Sequence, residues 1–168
     1  SKVQRVKNLI RIYDNDNNIF EFDKIIFAVH ANQVLDLIEN PTDKELRVFS
    51  RFKYSTNSAF LHTDTSLMPN SKKAWSSWNF LKRSKSDKFT LTYWMNLLQK
   101  LPTEKNYFVT VNPYKKPNFI IDKTSFQHPI YTTDTLLAQK EVMNIQGFNN
   151  TYYCGAYLGY GFHEDGIQ

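Results

Sequence analysis

The sequence predicts a mixed α/β fold, an α+β mixture with a strand-rich opening, an aromatic-rich middle and a helix-then-glycine ending. Three observations carry this. The continuous apolar run Ile25-Ile26-Phe27-Ala28-Val29 reads as a strand buried on both faces, as in a parallel sheet. Three aromatic-rich stretches between residues 52 and 94 read as an antiparallel meander. Four of the five glycines fall in the last fourteen residues, behind a helix-like segment.

The opening is β in character. Val3 and Val6 alternate with polar residues, Leu9-Ile10-Arg11-Ile12-Tyr13 follows, and the Asp14–Asn18 cluster is a turn signal. Ile19–Phe22 resumes the strand pattern and completes a hairpin or meander. After the apolar run, Asn32–Ile38 reads as a helix with Val34, Leu35 and Ile38 on one face, and Pro41 stops it. A second helix spans Asp43–Phe49, with Thr42 as cap and Glu45 three residues on to close a capping box.

The middle strands are expected at Phe52–His62, Ala74–Phe80 and Phe89–Trp94, with turns at Met68–Ser71 and Lys82–Asp87. A helical turn at Asn96–Leu101 ends at Pro102, a strand at Phe108–Asn112 ends at Pro113, and Ser125–Tyr131 is a further strand. Thr132–Ile145 reads as a helix capped by Thr133 or Asp134, with Leu136, Leu137, Lys140 and Met143 along one side and Gly147 closing it. Thr151–Cys154 is a short strand. Gly155–Gly161 is a glycine- and aromatic-rich loop, and Phe162–Gly166 has the look of a helix's first turn. The implied organisation is 1–49, 50–131 and 132–168, the last segment returning to the first.

Composition excludes several classes. With 41% hydrophobic and 22% charged residues the chain is neither disordered nor low in complexity. The +5 charge is diluted along the chain, and its densest stretch (Lys82, Arg83, Lys85, Lys88) lies among Ser and Asp as in a solvated loop, so nucleic acid is not the expected partner. No apolar run approaches the roughly 20 residues of a membrane helix. A single cysteine, Cys154, fits a reducing, cytoplasmic setting. The four histidines have no metal-like spacing with Cys154, and no metal site is expected.

Candidate sites follow from position. A strand, a glycine loop and a helix start at the C-terminal end can make an anion or cofactor pocket, because free backbone N–H groups meet a close backbone approach. A plain glycine turn reads the same residues equally well. His30 directly follows the apolar strand, where open α/β sheets bind ligands, or it is satisfied by local backbone. Trp75, Trp78 and Trp94 are expected to be core rather than the wall of a flat pocket. His62-Thr63-Asp64 resembles a charge relay only superficially. No G-x-S-x-G elbow, P-loop or G-x-G-x-x-G is present.

Taken together, several motifs resemble a family of bacterial flavin-containing amine oxidoreductases, a branch of the monoamine-oxidase and phytoene-desaturase type. They are the run Phe22–Gln33, Leu61-His62-Thr63-Asp64 with Met68-Pro69, Ala74–Asn79, Thr92–Asn96, and above all Cys154–Gly166. The resemblance covers nearly the whole chain. It implies the C-terminal part of a two-domain FAD-dependent enzyme, with 1–49 and 132–168 on the FAD side and 50–131 as an antiparallel substrate domain. Position by position it implies Val3 near the adenine, and Ala28 and His30 near pyrophosphate and ribose. Gly155 and Ala156 would lie by the pyrophosphate and ribityl chain, and Phe162, His163 and Glu164 would face the flavin ring. No catalytic residue is implied.

The chain departs from that family in lacking the N-terminal dinucleotide fingerprint. The expectation is therefore that this polypeptide alone binds FAD poorly, that a dinucleotide-binding half is its missing partner, and that the substrate is a small molecule. Homodimerisation is left open. The rival reading is a non-enzymatic binding or interaction domain, or the remnant of a split gene.

Overall fold

The computed structural model describes residues 1–7, 9–82 and 89–167. Of the predicted turn at Lys82–Asp87 and its basic stretch, all but Lys82 lies outside the described residues. The chain divides into two compact units, one formed by Ser1–Ser55 with Pro129–Gln168 and the other by Thr56–His128.

The first unit opens on an antiparallel meander of β1 (Lys2–Val6), β2 (Leu9–Tyr13) and β3 (Ile19–Phe22). Its β2–β3 turn forms because the Asp14 carboxylate accepts the N–H groups of Asp16 and Asn18, each at 2.9 Å, while Asn17 takes a left-handed φ of 63°. β4 (Ile25–Phe27) then pairs in parallel with β10 (Thr151–Tyr153), Ile26 opposite Tyr152. The apolar run is thus a parallel strand, as expected, but it is not buried on both faces. Ile26 is 65% exposed, because the described sheet has two strands and the unit's core covers only one of its faces.

Helices α1 (Ala31–Leu37) and α2 (Asp43–Phe49) bury Val34, Val48 and Phe49 against this core, joined by Val3, Ile10 and Phe27. The capping box of α2 forms as predicted: the Glu45 N–H donates to Thr42 Oγ1, and the Thr42 N–H donates to Glu45 Oε2 at 2.7 Å.

Helix α4 (Thr133–Met143) corrects two expectations. Its cap is Thr132, whose side chain accepts from the Thr135 N–H. Its buried face is Thr135, Ala138 and Val142, whereas Leu136, Leu137 and Met143 are exposed. Spacing of three and four is respected, but the small side chains face inward, where the helix packs closely on its neighbours.

The second unit is built on a five-stranded sheet of order β6-β7-β8-β5-β9, the strands being β5 (Lys53–His62), β6 (Trp78–Leu81), β7 (Thr90–Trp94), β8 (Phe108–Val111) and β9 (Ile120–Ile130). The short helix α3 (Met95–Leu98) follows β7. The β6/β7, β7/β8 and β8/β5 pairs are antiparallel. Residues 74–77 do not join β6. Ala74 closes a 3₁₀ turn at Lys72–Ala74, and Asn79 ties the rest of the segment down by accepting the Ser76 N–H and donating to the Ser76 carbonyl. β9 is longer than the predicted Ser125–Tyr131; its first half, Ile120-Ile121-Asp122-Lys123-Thr124, carries no period-two hydrophobic alternation.

Trp75 sits edge-on to Trp94 and Phe108, and its indole N–H donates to the Pro69 carbonyl at 2.8 Å. Trp78, expected in the core, is 60% exposed on the edge strand and meets Tyr93 edge-on. An edge strand has no neighbour to cover its outer residues, so an aromatic there stays open.

Candidate functional site

The parallel pairing of β4 with β10 brings the C-terminal ends of two sequence-distant strands together. The Cys154 N–H continues the ladder by donating to the Phe27 carbonyl at 3.0 Å. Ala28 and His30 leave β4 at the point where Gly155 and Ala156 leave β10. Gly155 adopts φ 144°, ψ 162°, a conformation open to glycine, and a Cβ there would lie 2.9 Å from the Tyr157 ring and 3.8 Å from the Val29 carbonyl. Four of the eight candidate residues therefore share one end of this sheet.

Each is held by local chemistry. His30 caps α1: its carbonyl accepts the Gln33 N–H at 2.9 Å, and its ring stacks on Tyr54 with centroids 5.1 Å apart and planes at 15°. The Tyr54 hydroxyl accepts the Ala31 N–H at 3.0 Å. Burial pushes the Tyr54 phenol up, against the lowering effect of that donated N–H. Gly155 and Ala156 open a 3₁₀ turn (Ala156–Leu158), and the Ala156 carbonyl accepts both the Gly159 and Gly161 N–H groups. From α4, the Gln139 amide donates to the carbonyls of Tyr157 and Gly159 at 3.0 and 2.7 Å, fixing the loop. Gln146 does the same for β10, donating to the Tyr153 carbonyl at 2.7 Å and accepting its N–H at 2.9 Å.

Phe162, His163 and Glu164 do not begin an α-helix among the described residues. They lead into a 3₁₀ turn at Glu164–Gly166, and the Phe162 side chain is 71% exposed. Asp165 ties this segment together, its Oδ2 accepting the N–H groups of Tyr160 at 3.1 Å and Phe162 at 2.8 Å. Two backbone donors thus converge on one carboxylate, the arrangement of an anion-binding nest. Gly159 makes room for it, since a Cβ there would fall 2.4 Å from Asp165 Oδ1. Val3 lies apart: its side chain is in the core, and its carbonyl accepts the Glu39 N–H at 3.0 Å.

Sequence reasoning did not single out four residues here: Tyr54, Tyr131, Tyr157 and Asp165. Tyr157 is 4% exposed, yet its hydroxyl has no hydrogen-bond partner among the described residues. Burial, with Cys154 and Tyr54 nearby, pushes its phenol up, and burial with Tyr54 and Asp165 does the same for Tyr131. Tyr157 and Asp165 stand inside the glycine-rich ending and could have been flagged as the aromatic and acid beside its glycines. Tyr54 and Tyr131 come from distant segments and carry no local signal.

His62 in the second unit is no relay. It is fully buried; its Nδ1 accepts the Asp64 N–H at 3.1 Å and its Nε2 lies 2.7 Å from Thr110 Oγ1, while the Asp64 carboxylate is committed to the N–H groups of Ser66 and Asn118. No cluster of three His, Cys, Asp or Glu side chains able to hold a metal ion occurs among the described residues, and no helix there is long and apolar enough to cross a membrane.

No protein-family model and no curated protein matches the sequence. Solved structures do match its fold. A CLA-producing fatty acid isomerase from P. acnes superposes with a TM-score of 0.66 at 14% identity, over 98% of this chain and 44% of that protein. A candidate protoporphyrinogen oxidase from Exiguobacterium sp. 255-15 gives 0.56 at 10% identity, over 95% of this chain and 42% of that one. Reduced UDP-galactopyranose mutase gives 0.56 at 10%, over 96% and 41%. Identities this low show a shared fold, and the chain spans less than half the length of each of the three proteins. The mixed α/β fold class with an antiparallel second sheet is the one the sequence predicts.

Proposed function

We propose that this chain is the C-terminal part of an FAD-dependent oxidoreductase of the amine-oxidase-like type. The observation that carries the reading is the junction of β4 and β10, where Ala28, His30, Gly155 and Ala156 meet at the carboxyl ends of two parallel strands. Open α/β sheets bind cofactors at such ends. The fold match to larger enzymes supports it, as does the resemblance in the Cys154–Gly166 run.

The residues suit such a group on two counts. The Tyr157 hydroxyl is buried beside Gly155 without a partner, and a bound group supplies one. The N–H groups of Tyr160 and Phe162 already hold an anion, the Asp165 carboxylate, and would serve a cofactor's acceptor atom if Asp165 turned aside. Gly155 and Ala156 would lie along the pyrophosphate and ribityl chain, Ala28 and His30 at pyrophosphate and ribose, and Phe162, His163 and Glu164 toward the ring. Val3 would meet the adenine through backbone, sharing a carbonyl that Glu39 already uses. The flavin supplies hydride acceptance from a C–N or C–C bond of a small-molecule substrate; the chain supplies orientation and electrostatics.

The uncovered Ile26, Leu136, Leu137 and Met143 favour a polypeptide partner, which we assign to a dinucleotide-binding half. A reducing, cytoplasmic setting suits the free Cys154. The reaction is tested in a polypeptide joining this chain to a strand–G-x-G-x-x-G–helix segment. Anaerobic addition of an amine, polyene or lipid-like substrate should bleach the flavin band. If none of these bleaches a bound flavin, the oxidoreductase assignment fails.

A further inference from the structure

The second unit carries a groove of its own, of about 780 Å³, floored by Phe60, Pro113, Tyr114 and Ile120 and rimmed by Lys116 and Lys123. Its wall is the segment between β8 and β9, and that segment is clamped at both ends. At one end Asn112 takes a left-handed φ of 48°. Its carboxamide accepts the Ser58 N–H at 3.2 Å and donates to Asn57 Oδ1 at 2.6 Å, and its carbonyl accepts the Thr90 hydroxyl at 2.8 Å. At the other end Asp64 Oδ2 accepts the backbone N–H of Asn118 at 2.8 Å and its side-chain amide at 3.1 Å, and Phe119 is left-handed at φ 51°. Non-glycine residues persist in that conformation only where their surroundings hold them. The groove is therefore preformed.

Its two cations make no ion pair among the described residues. The Lys123 ammonium stands 5.3 Å from the centre of the Phe60 ring, so charge is held directly above an apolar floor. An apolar trough with ammonium groups at its rim complements one chemistry, an acidic head on an apolar tail. A purely apolar ligand would leave the lysines unused, and a small anion would leave the floor bare.

We infer that this groove binds a single amphipathic carboxylate, its chain along Phe60, Pro113, Tyr114 and Ile120 and its head between Lys116 and Lys123. The site needs no flavin, so its failure would leave the oxidoreductase reading standing. Calorimetric titration of the intact chain with monomeric decanoate tests it, against decanol, acetate and vesicles of phosphatidylglycerol. Decanoate should bind saturably at one site, with decanol and acetate each weaker by about tenfold or more, the size of one charge-assisted hydrogen bond. Lys116→Gln with Lys123→Gln should lower decanoate affinity by about tenfold and leave decanol unchanged. Both lysines are exposed, so a matching thermal melt will show that the variant is folded. Equal binding of decanoate and decanol, an unaffected double variant, or binding to vesicles without binding to decanoate would each overturn the proposal, the last pointing to a membrane surface.

Discussion

The two units each bury a polar network, and the networks differ in kind. In the first unit the network is ionic. Arg5 forms a two-pronged pair with Glu45 at 2.6 and 2.9 Å, and the Tyr153 hydroxyl donates to the same carboxylate at 2.5 Å. These residues come from β1, α2 and β10, so one buried charge ties together three distant stretches of chain. In the second unit the network is neutral. His62, Thr110 and Thr92 link three neighbouring strands, with Thr92 and Thr110 hydroxyls 2.9 Å apart. A neutral network inside one sheet adds to pairings the ladder already makes. An ionic one between elements fixes how they meet, and losing one member strands a charge.

That contrast sets an order of effects. Glu45→Ala leaves the part-buried Arg5 guanidinium with only the Asn40 carbonyl and removes the acceptor of the Tyr153 hydroxyl and the Thr42 N–H, and should cost about 3–5 kcal/mol in denaturant unfolding. His62→Leu removes one donor and one acceptor, leaving the Asp64 N–H unsatisfied, and should cost about 1–3 kcal/mol. Equal losses would mean that the charged and neutral networks do the same job.

The smallest effect is in pH. Burial lowers the His62 imidazole below its ordinary value of 6.5, outweighing the pull of Asp64. A group held neutral in this way contributes stability above that value and loses it as the pH falls through the ordinary histidine range. Burial alone would raise Glu45, but the hydrogen bonds from Arg5, Tyr153 and Thr42 bring it from 4.5 down to about 2. Its contribution is full above 4.5 and fades as the pH drops toward 2. Amide exchange across an acid series should therefore show the His62 strands loosening at higher pH than the β1–α2 contact. The reverse order would contradict these assignments.

How much of this was legible in the sequence depended on whether the signal was local. The Thr42–Glu45 capping box and the Asp14–Asn18 turn rest on neighbouring residues and form as the sequence predicts, whereas the Ile25–Val29 run is a parallel strand only over Ile25–Phe27 and is not buried on both faces, because its pairing with β10 is not local. For helix α4 the sequence groups Leu136, Leu137, Lys140 and Met143 along one side. Periodicity reports which residues share a face, but close packing chose Thr135, Ala138 and Val142 for the inner one. Trp78 lies outside the expected core because its exposure depends on β6 being an edge strand, and strand order is not a local property. At the candidate site, the glycine-rich ending carries a local sequence signal. Asp165 stands in that ending, but its bonding to the loop's N–H groups belongs to the fold, and the Tyr54 ring that supports His30 comes from a distant segment with no local signal.

The central claim is that the first unit is one side of a flavin cradle. The direct measurement is the visible absorption spectrum after incubation with FAD and removal of the excess, for this chain alone and for the chain joined to a dinucleotide-binding segment. The chain alone should retain no flavin band, and the joined protein should retain a stoichiometric one. A band retained by the 168 residues alone, or none in the joined protein, would contradict that claim.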